Sequence, residues 1–214
     1  MRKIISSAMI SAVIFCATSS VAIAGPIEDA LNPQLGTISV KFEPAFDEGN
    51  LYACTLIYKT LIRDYVYKSG GFSLINGNIG IVGKDKILLV NLKVIGYDVE
   101  KDGSFTPYQI DDALFNNGLT TSLSEKIGGQ QTDFLGRQSI FKMETVGEKL
   151  MDNIVKGSVP ILFRRHGGGI DVPFSISTKV ISTDDNGIRN YSMDEILKFF
   201  DCNKTLLENL IGEK

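Results

Sequence analysis

Thr37-Ile38-Ser39-Val40-Lys41-Phe42 alternates strictly between polar and apolar side chains, and a period of two predicts a strand. Leu51 to Tyr67 has a different rhythm. Leu51, Cys54, Tyr58, Leu61 and Tyr65 recur at three and four, with Ile57 and Ile62 flanking and Lys59, Arg63 and Asp64 opposite. The Tyr, Thr, Ile and Val of this stretch favour a strand by propensity. The stripe favours a helix, and Ser69-Gly70-Gly71 supplies its stop, so the reading is a helix with Cys54 on the buried face.

Phe72 to Val82 predicts a hairpin, because Asn76-Gly77 is the strongest short turn signal. Gly83-Lys84-Asp85 turns into a long apolar strand, Lys86 to Tyr97. Asp102-Gly103 marks another turn, and Tyr108 to Asn116 fits a short helix stopped by Gly118. Leu119 to Ser139, rich in Gly, Gln, Thr and Ser, carries no period that assigns an element, and such stretches in compact domains are often functional. Thr145 to Lys156 predicts a helix with Val146, Leu150 and Ile154 inward, and Met151 beside them.

Val159–Phe163 and Ile170–Ile176, joined by Arg164-Arg165-His166-Gly167-Gly168-Gly169, predict a second hairpin. Ser192-Met193-Asp194-Glu195 is a capping box opening a helix to about Phe200; Cys202 and a last short helix, Lys204 to Ile211, follow. Two passages echo each other: Lys93-Val94-Ile95 leads through Asp102-Gly103 to Asp111-Asp112, and Lys179-Val180-Ile181 leads through Asn186-Gly187 to Asp194-Glu195. The fold class expected is therefore α+β, antiparallel hairpins with several short packed helices. Two similar hairpin-plus-helix units are one option within it; strand–turn–helix grammar alone generates such echoes.

Composition narrows the class. Of 214 residues, 43% are hydrophobic, 22% charged and 6 are Pro, which excludes a disordered, collagen-like or multispanning chain. Arg2 and Lys3, the apolar run Ile4 to Ala17 and the small-x-small Ala22-Ile23-Ala24 form an export signal cut after Ala24. The organisation expected is signal 1–24, leader 25–35 and a single α+β domain 36–214. Without Arg2 and Lys3 the 22 basic residues become 20 against 25 acidic, a net charge of −5, which argues against a nucleic-acid partner. No later segment has 18 uninterrupted apolar residues, so no stable membrane insertion is expected after cleavage. The destination expected is periplasmic or secreted. Export leaves two cysteines, Cys54 and Cys202, which read as one disulfide.

Asp98 to Gln109 resembles the EF-hand calcium loop: Asp98, Glu100 and Asp102 at positions 1, 3 and 5, Gly103 at 6 and Thr106 at 9. Candidate calcium ligands are Asp98, Glu100, Asp102, Ser104 and Gln109. Gln109 stands where the loop has its bidentate Glu, and an Asp-Gly turn with solvated acids explains the same letters. His166-Gly167-Gly168-Gly169 resembles the oxyanion-hole motif of lipases and esterases, which implies a hydrolase depending on His166, the only histidine. The G-x-S-x-G elbow such enzymes carry is absent from the chain. Glu148 to Ser177 resembles, as helix, stop, strand, turn and strand, the last third of a PDZ domain, which would imply peptide binding; that family's carboxylate-binding loop has no match upstream.

Arg164-Arg165 makes a positive spot that is either a solvated tip or a contact for an acidic partner, and Arg164, Arg165 and His166 are the candidate contact residues. With catalytic constellations missing, the leading expectation is an exported, non-enzymatic protein-interaction module acting through the 119–139 loop and the 164–169 tip. A calcium-dependent binding module is the alternative, and the His166 hydrolase stands third.

Overall fold

The computed structural model describes residues 26–116 and 126–212; the expected export signal, Gly118 and the first third of the 119–139 stretch lie outside them. Four long strands, β1 (Gly36–Asp47), β2 (Asn50–Asp64), β3 (Gly71–Lys84) and β4 (Ile87–Val99), run as an antiparallel meander. The sheet continues through β8 (Arg137–Lys142) to β7 (Lys126–Gln131), while β5 (Phe105–Tyr108) pairs with the end of β4. A second sheet, in the order β10 (Val172–Ile176), β9 (Val159–Arg165), β6 (Ile110–Phe115), stacks on one face of the first. A small hairpin of β11 (Val180–Thr183) and β12 (Arg189–Tyr191) lies against β1. The fold is α+β with strands dominant; its helices are α1 (Pro26–Leu31), α2 (Met143–Lys156) and α3 (Asp194–Gly212).

The core lies between the sheets. Cys54, Leu56 and Tyr58 of β2, Ile75, Ile79 and Ile81 of β3, and Val90, Leu92 and Val94 of β4 share the inner face in register. Phe163 and Phe174 meet them, with Tyr58 and Phe174 centroids 6.3 Å apart and Phe115 and Phe141 5.3 Å apart. Aromatic pairs at these separations add to plain burial. α2 turns Val146, Leu150 and Ile154 into this core as its stripe predicts, and Gly157 ends it in the left-handed region at φ 96°. The β9–β10 hairpin also forms where expected.

Leu51 to Tyr67 is not a helix. It is mostly β2, and its stripe arises because Leu61 is buried on the outer face while Cys54 and Tyr58 are buried on the inner one. Cys54, Leu56, Tyr58 and Thr60 alternate inward, while Leu61 faces outward into a second cluster with Phe72 and Leu74. Inner and outer positions read together mimic a spacing of three and four. Leu31 and Leu35 close that outer cluster, so the leader is docked as α1 and a following turn, held by Arg63 bonded to Glu28 and Asn32.

Asn76-Gly77 is not a turn either; it sits in the middle of β3. Gly77 lies opposite Tyr58, whose hydroxyl crosses it to donate to the Lys93 carbonyl at 3.0 Å. A Cβ at Gly77 would come within 2.5 Å of the Tyr58 oxygen and closer still to that carbonyl. Gly77→Ala is thus expected to destabilise by ~1–3 kcal/mol through overpacking. A lowered urea midpoint would show it; an unchanged midpoint would contradict this packing.

Tyr108 to Asn116 is strand, not helix. A bulge between Ile110 and Asp112 in β6 shifts the inward set to Ile110, Ala113 and Phe115, which imitates helical spacing. The two predicted C-terminal helices are one, α3, continuous through Cys202. Ser192 caps it by accepting the Asp194 N–H at 3.0 Å, but Glu195 turns away from the box to accept the backbone N–H of Phe42 at 2.7 Å. The paired echo does not produce two similar units: Asp111-Asp112 lies in a strand and Asp194-Glu195 opens a helix. Cys54 of β2 is joined to Cys202 of α3, tying the last helix across the inner face of the sheet.

Candidate functional site

Arg165 does not sit at the loop tip. It ends β9 in phase with Ile161 and Phe163, pointing inward, and is 8% exposed. Its guanidinium bonds to both carboxylate oxygens of Asp98, at 2.8 and 3.1 Å, and to Ser73 Oγ at 2.9 Å. Asp64 Oδ2 approaches it to 2.6 Å, and the Tyr108 ring lies 3.5 Å below it. Asp64 is fully buried and turns its other oxygen to the backbone N–H groups of Val66 and Tyr67. Lys68 reaches Asp98 at 3.0 Å, so two cations face two carboxylates. Burial pushes the Asp98 carboxyl up, but hydrogen bonds and charge from Arg165 and Lys68 outweigh it and leave it below its ordinary value. Arg165 of β9 is thus paired with Asp64 of β2 and Asp98 of β4, which makes the cluster a lock between the two sheets, although Arg165 Nε and the Tyr108 hydroxyl have no hydrogen-bond partner among the described residues.

The calcium candidates are accordingly dispersed. Asp98 belongs to the lock and Glu100 lies 3.9 Å from Lys68. Asp102 folds back on Ser104, whose Oγ and backbone N–H hold its carboxyl below the ordinary value. Gln109 turns to Asp111 and His166. The segment is the β4–β5 turn, with Gly103 at φ 83°. Among the described residues no group of three or more His, Cys, Asp or Glu could hold a metal ion.

The tip itself carries Arg164, bonded to Asp171 at 2.8 Å, and exposed His166, whose Nδ1 lies 2.9 Å from Asp111. The His166 contact holds the Asp111 carboxyl below its ordinary value. Among the described residues no hydrogen bond joins His166 to a serine, threonine or cysteine. The Tyr67 hydroxyl bonds to the Ile170 carbonyl and lies over Gly168, anchoring the loop.

What sequence reasoning missed lies at the other end of the molecule. The C-terminal turns of α3, the β3–β4 turn, the start of β7 and the junction of β8 with α2 enclose a groove of about 580 Å³. Its wall is apolar: Ile87, Leu89, Ile127, Met143, Leu207 and Ile211 line it, with Lys86, Lys142 and Glu144 on the rim. Ile87, Ile127, Leu207 and Ile211 each leave about half their surface open. Such clustering on an exposed surface marks an interaction site more often than chance apolar exposure does.

The two edges of the main sheet differ in the same sense. β1 is guarded: Thr183 Oγ1 donates to the Ile38 carbonyl, Arg189 to Thr37, and Glu195 occupies the Phe42 N–H. β7 has no described strand on its outer side. Among the described residues its shortness and a bulge at Ile127 are what blunt it, and it carries the adjacent glycines Gly128 and Gly129. Unprotected edges invite another strand.

The chain matches no known protein family, no curated protein and no solved structure. No helix among the described residues is long and apolar enough to cross a membrane.

Proposed function

We propose that this chain is an exported protein-interaction module that docks a protein partner on the β7 end of its sheet. The observation that carries the reading is that the sheet edge with no described outer neighbour and the apolar groove meet at Ile127. Adding a strand to a sheet edge supplies main-chain hydrogen bonds, and a neighbouring apolar pocket supplies specificity. The Cys54–Cys202 bridge accords with a periplasmic or secreted location, since such bonds persist in oxidising compartments. It also steadies α3, whose last turns form one wall of the groove.

A photoreactive residue placed at Ile127 or at Ile211 tests this in cells producing the chain. Protein adducts are expected at both positions and not at Ile57, an exposed site on the outer face of β2. Adducts at none of the three, or equally at all, would refute the reading.

A further inference from the structure

We propose that the outer face of the main sheet binds an extended, uncharged polysaccharide chain, through a ladder of side-chain amides and the Phe134 ring beside it. This site lies on the face of the sheet, apart from the docking edge proposed above, so the two readings stand or fall separately.

Four amides from four strands are joined head to tail. Asn91 donates to Asn78 Oδ1 at 2.9 Å, Gln138 donates to Asn91 Oδ1 at 2.7 Å, and Gln130 donates to Gln138 Oε1 at 3.1 Å. The row runs from β3 through β4 and β8 to β7, three steps that together span about 14 Å. Backbone ladders already hold these strands to one another, so the sheet does not need the amides for its pairing. Each primary amide carries two N–H donors and a carbonyl with two lone pairs, and the row uses fewer than half of them. Gln130 is exposed and the other three are half-buried, and none of their polar atoms is both buried and unpartnered. The remaining donors and acceptors therefore face solvent.

The chemistry of the row selects the ligand. A sugar hydroxyl is donor and acceptor at once, and an amide answers both. Anionic ligands are met instead by Arg and Lys, whose charge suits them. Lys93 stands between Asn78 and Gln138 but leans to Asp133 at 3.7 Å, so the row presents little net charge. Phe134, in the turn between β7 and β8, supplies the apolar partner. It is 62% exposed, and with Leu135 it is held at positive φ, 52° and 61°, a region that bulky residues seldom occupy. Gln131 pins this turn by donating to the Leu135 carbonyl at 2.6 Å. Backbone strain that presents a ring to solvent is characteristic of a ligand clamp. The weakly positive C–H face of a sugar suits the negative face of such a ring. Phe134 lies 6.2 Å from Tyr97, which stands four residues beyond Lys93 on β4, about 14 Å along the strand. A ligand touching both ring and amides therefore spans several sugar units, and a sheet face suits a chain that is itself extended.

Isothermal titration of the chain with cellohexaose and with the hexamer of N-acetylglucosamine tests the proposal, against glucose and the acidic hexagalacturonate as comparisons. At least one neutral hexamer is expected to bind, with glucose at least tenfold weaker and the acidic chain no tighter. Phe134→Ala and Gln138→Leu are each expected to weaken hexamer binding at least tenfold while leaving the urea midpoint unchanged. Should Gln138→Leu lower that midpoint, Gln130→Leu at the exposed end of the row makes the same test. No binding of either hexamer, binding indifferent to these substitutions, or tighter binding of hexagalacturonate would overturn the proposal.

Discussion

Replacing both bridge cysteines, Cys54→Ser with Cys202→Ser, is expected to lower the thermal unfolding midpoint by roughly 10–20 °C. The bridge spans 148 residues. Closing so long a loop in the unfolded chain is worth about 5 kcal/mol in the chain-entropy model, and each kcal/mol moves the midpoint of a domain of this size by about 2–4 °C. The variant still has a core, because Ile196, Phe199 and Leu206 keep their contacts with the sheet. α3 should be the first element to loosen, and with it the groove wall that Leu207, Leu210 and Ile211 provide. Differential scanning calorimetry with and without reductant gives the same comparison on the native chain. A shift under about 3 °C would mean that α3 is held by packing alone, and that the bridge constrains little in the unfolded state.

Arg165→Met is the second substitution with a large expected effect, a loss of ~3–5 kcal/mol at neutral pH. The long apolar side chain fills the space, but Asp64 and Asp98 are then left as buried carboxylates with Lys68 as the remaining cation. The pH dependence should reverse sign. In the native chain the Asp98 carboxyl is held below its ordinary value. Its contribution is therefore present above the unfolded pKa of about 4 and is lost as the pH falls below it. In Arg165→Met the charged carboxylates are the costly form, so stability should fall as the pH rises through the same region. Adding Asp64→Asn and Asp98→Asn should recover much of the loss. Urea unfolding at pH 4 and pH 7 reads all of this. A single variant within about 1 kcal/mol of the native chain at pH 7 would show that the cluster is not a lock.

The elements legible in the sequence are those whose signal is local. β1 announces itself by alternation, α2 by its stripe and stop, the start of α3 by Ser192, and the bridge by the parity of the cysteines left once the expected signal is set aside. Where the expectation failed, a tertiary demand had borrowed a local signal. Leu61, buried on the outer face, read together with inward Cys54 and Tyr58 gave β2 a helical spacing, and the crossing hydroxyl of Tyr58 placed a glycine after Asn76 where no chain reversal occurs. The bulge in β6 did the same for Ile110, Ala113 and Phe115. Arg165 was within reach of sequence reasoning: it continues the inward phase of Val159, Ile161 and Phe163, a pattern at odds with a solvated tip. Its partners were not, since Asp64 and Asp98 come from strands about 100 and 67 residues earlier. The groove was beyond reach as well. Its wall is assembled from four separate parts of the chain, none of which is unusual alone.

Amide hydrogen exchange along the two edges of the main sheet tests the central claim, that β7 is an open docking edge beside an apolar groove. In dilute solution the outward-facing amides of residues 126–131 should exchange rapidly. The Phe42 amide on the opposite edge should be slow, because Glu195 holds it. β7 amides already as slow as β1 in dilute solution would mean that the edge is covered by the chain itself, and the docking account would fail.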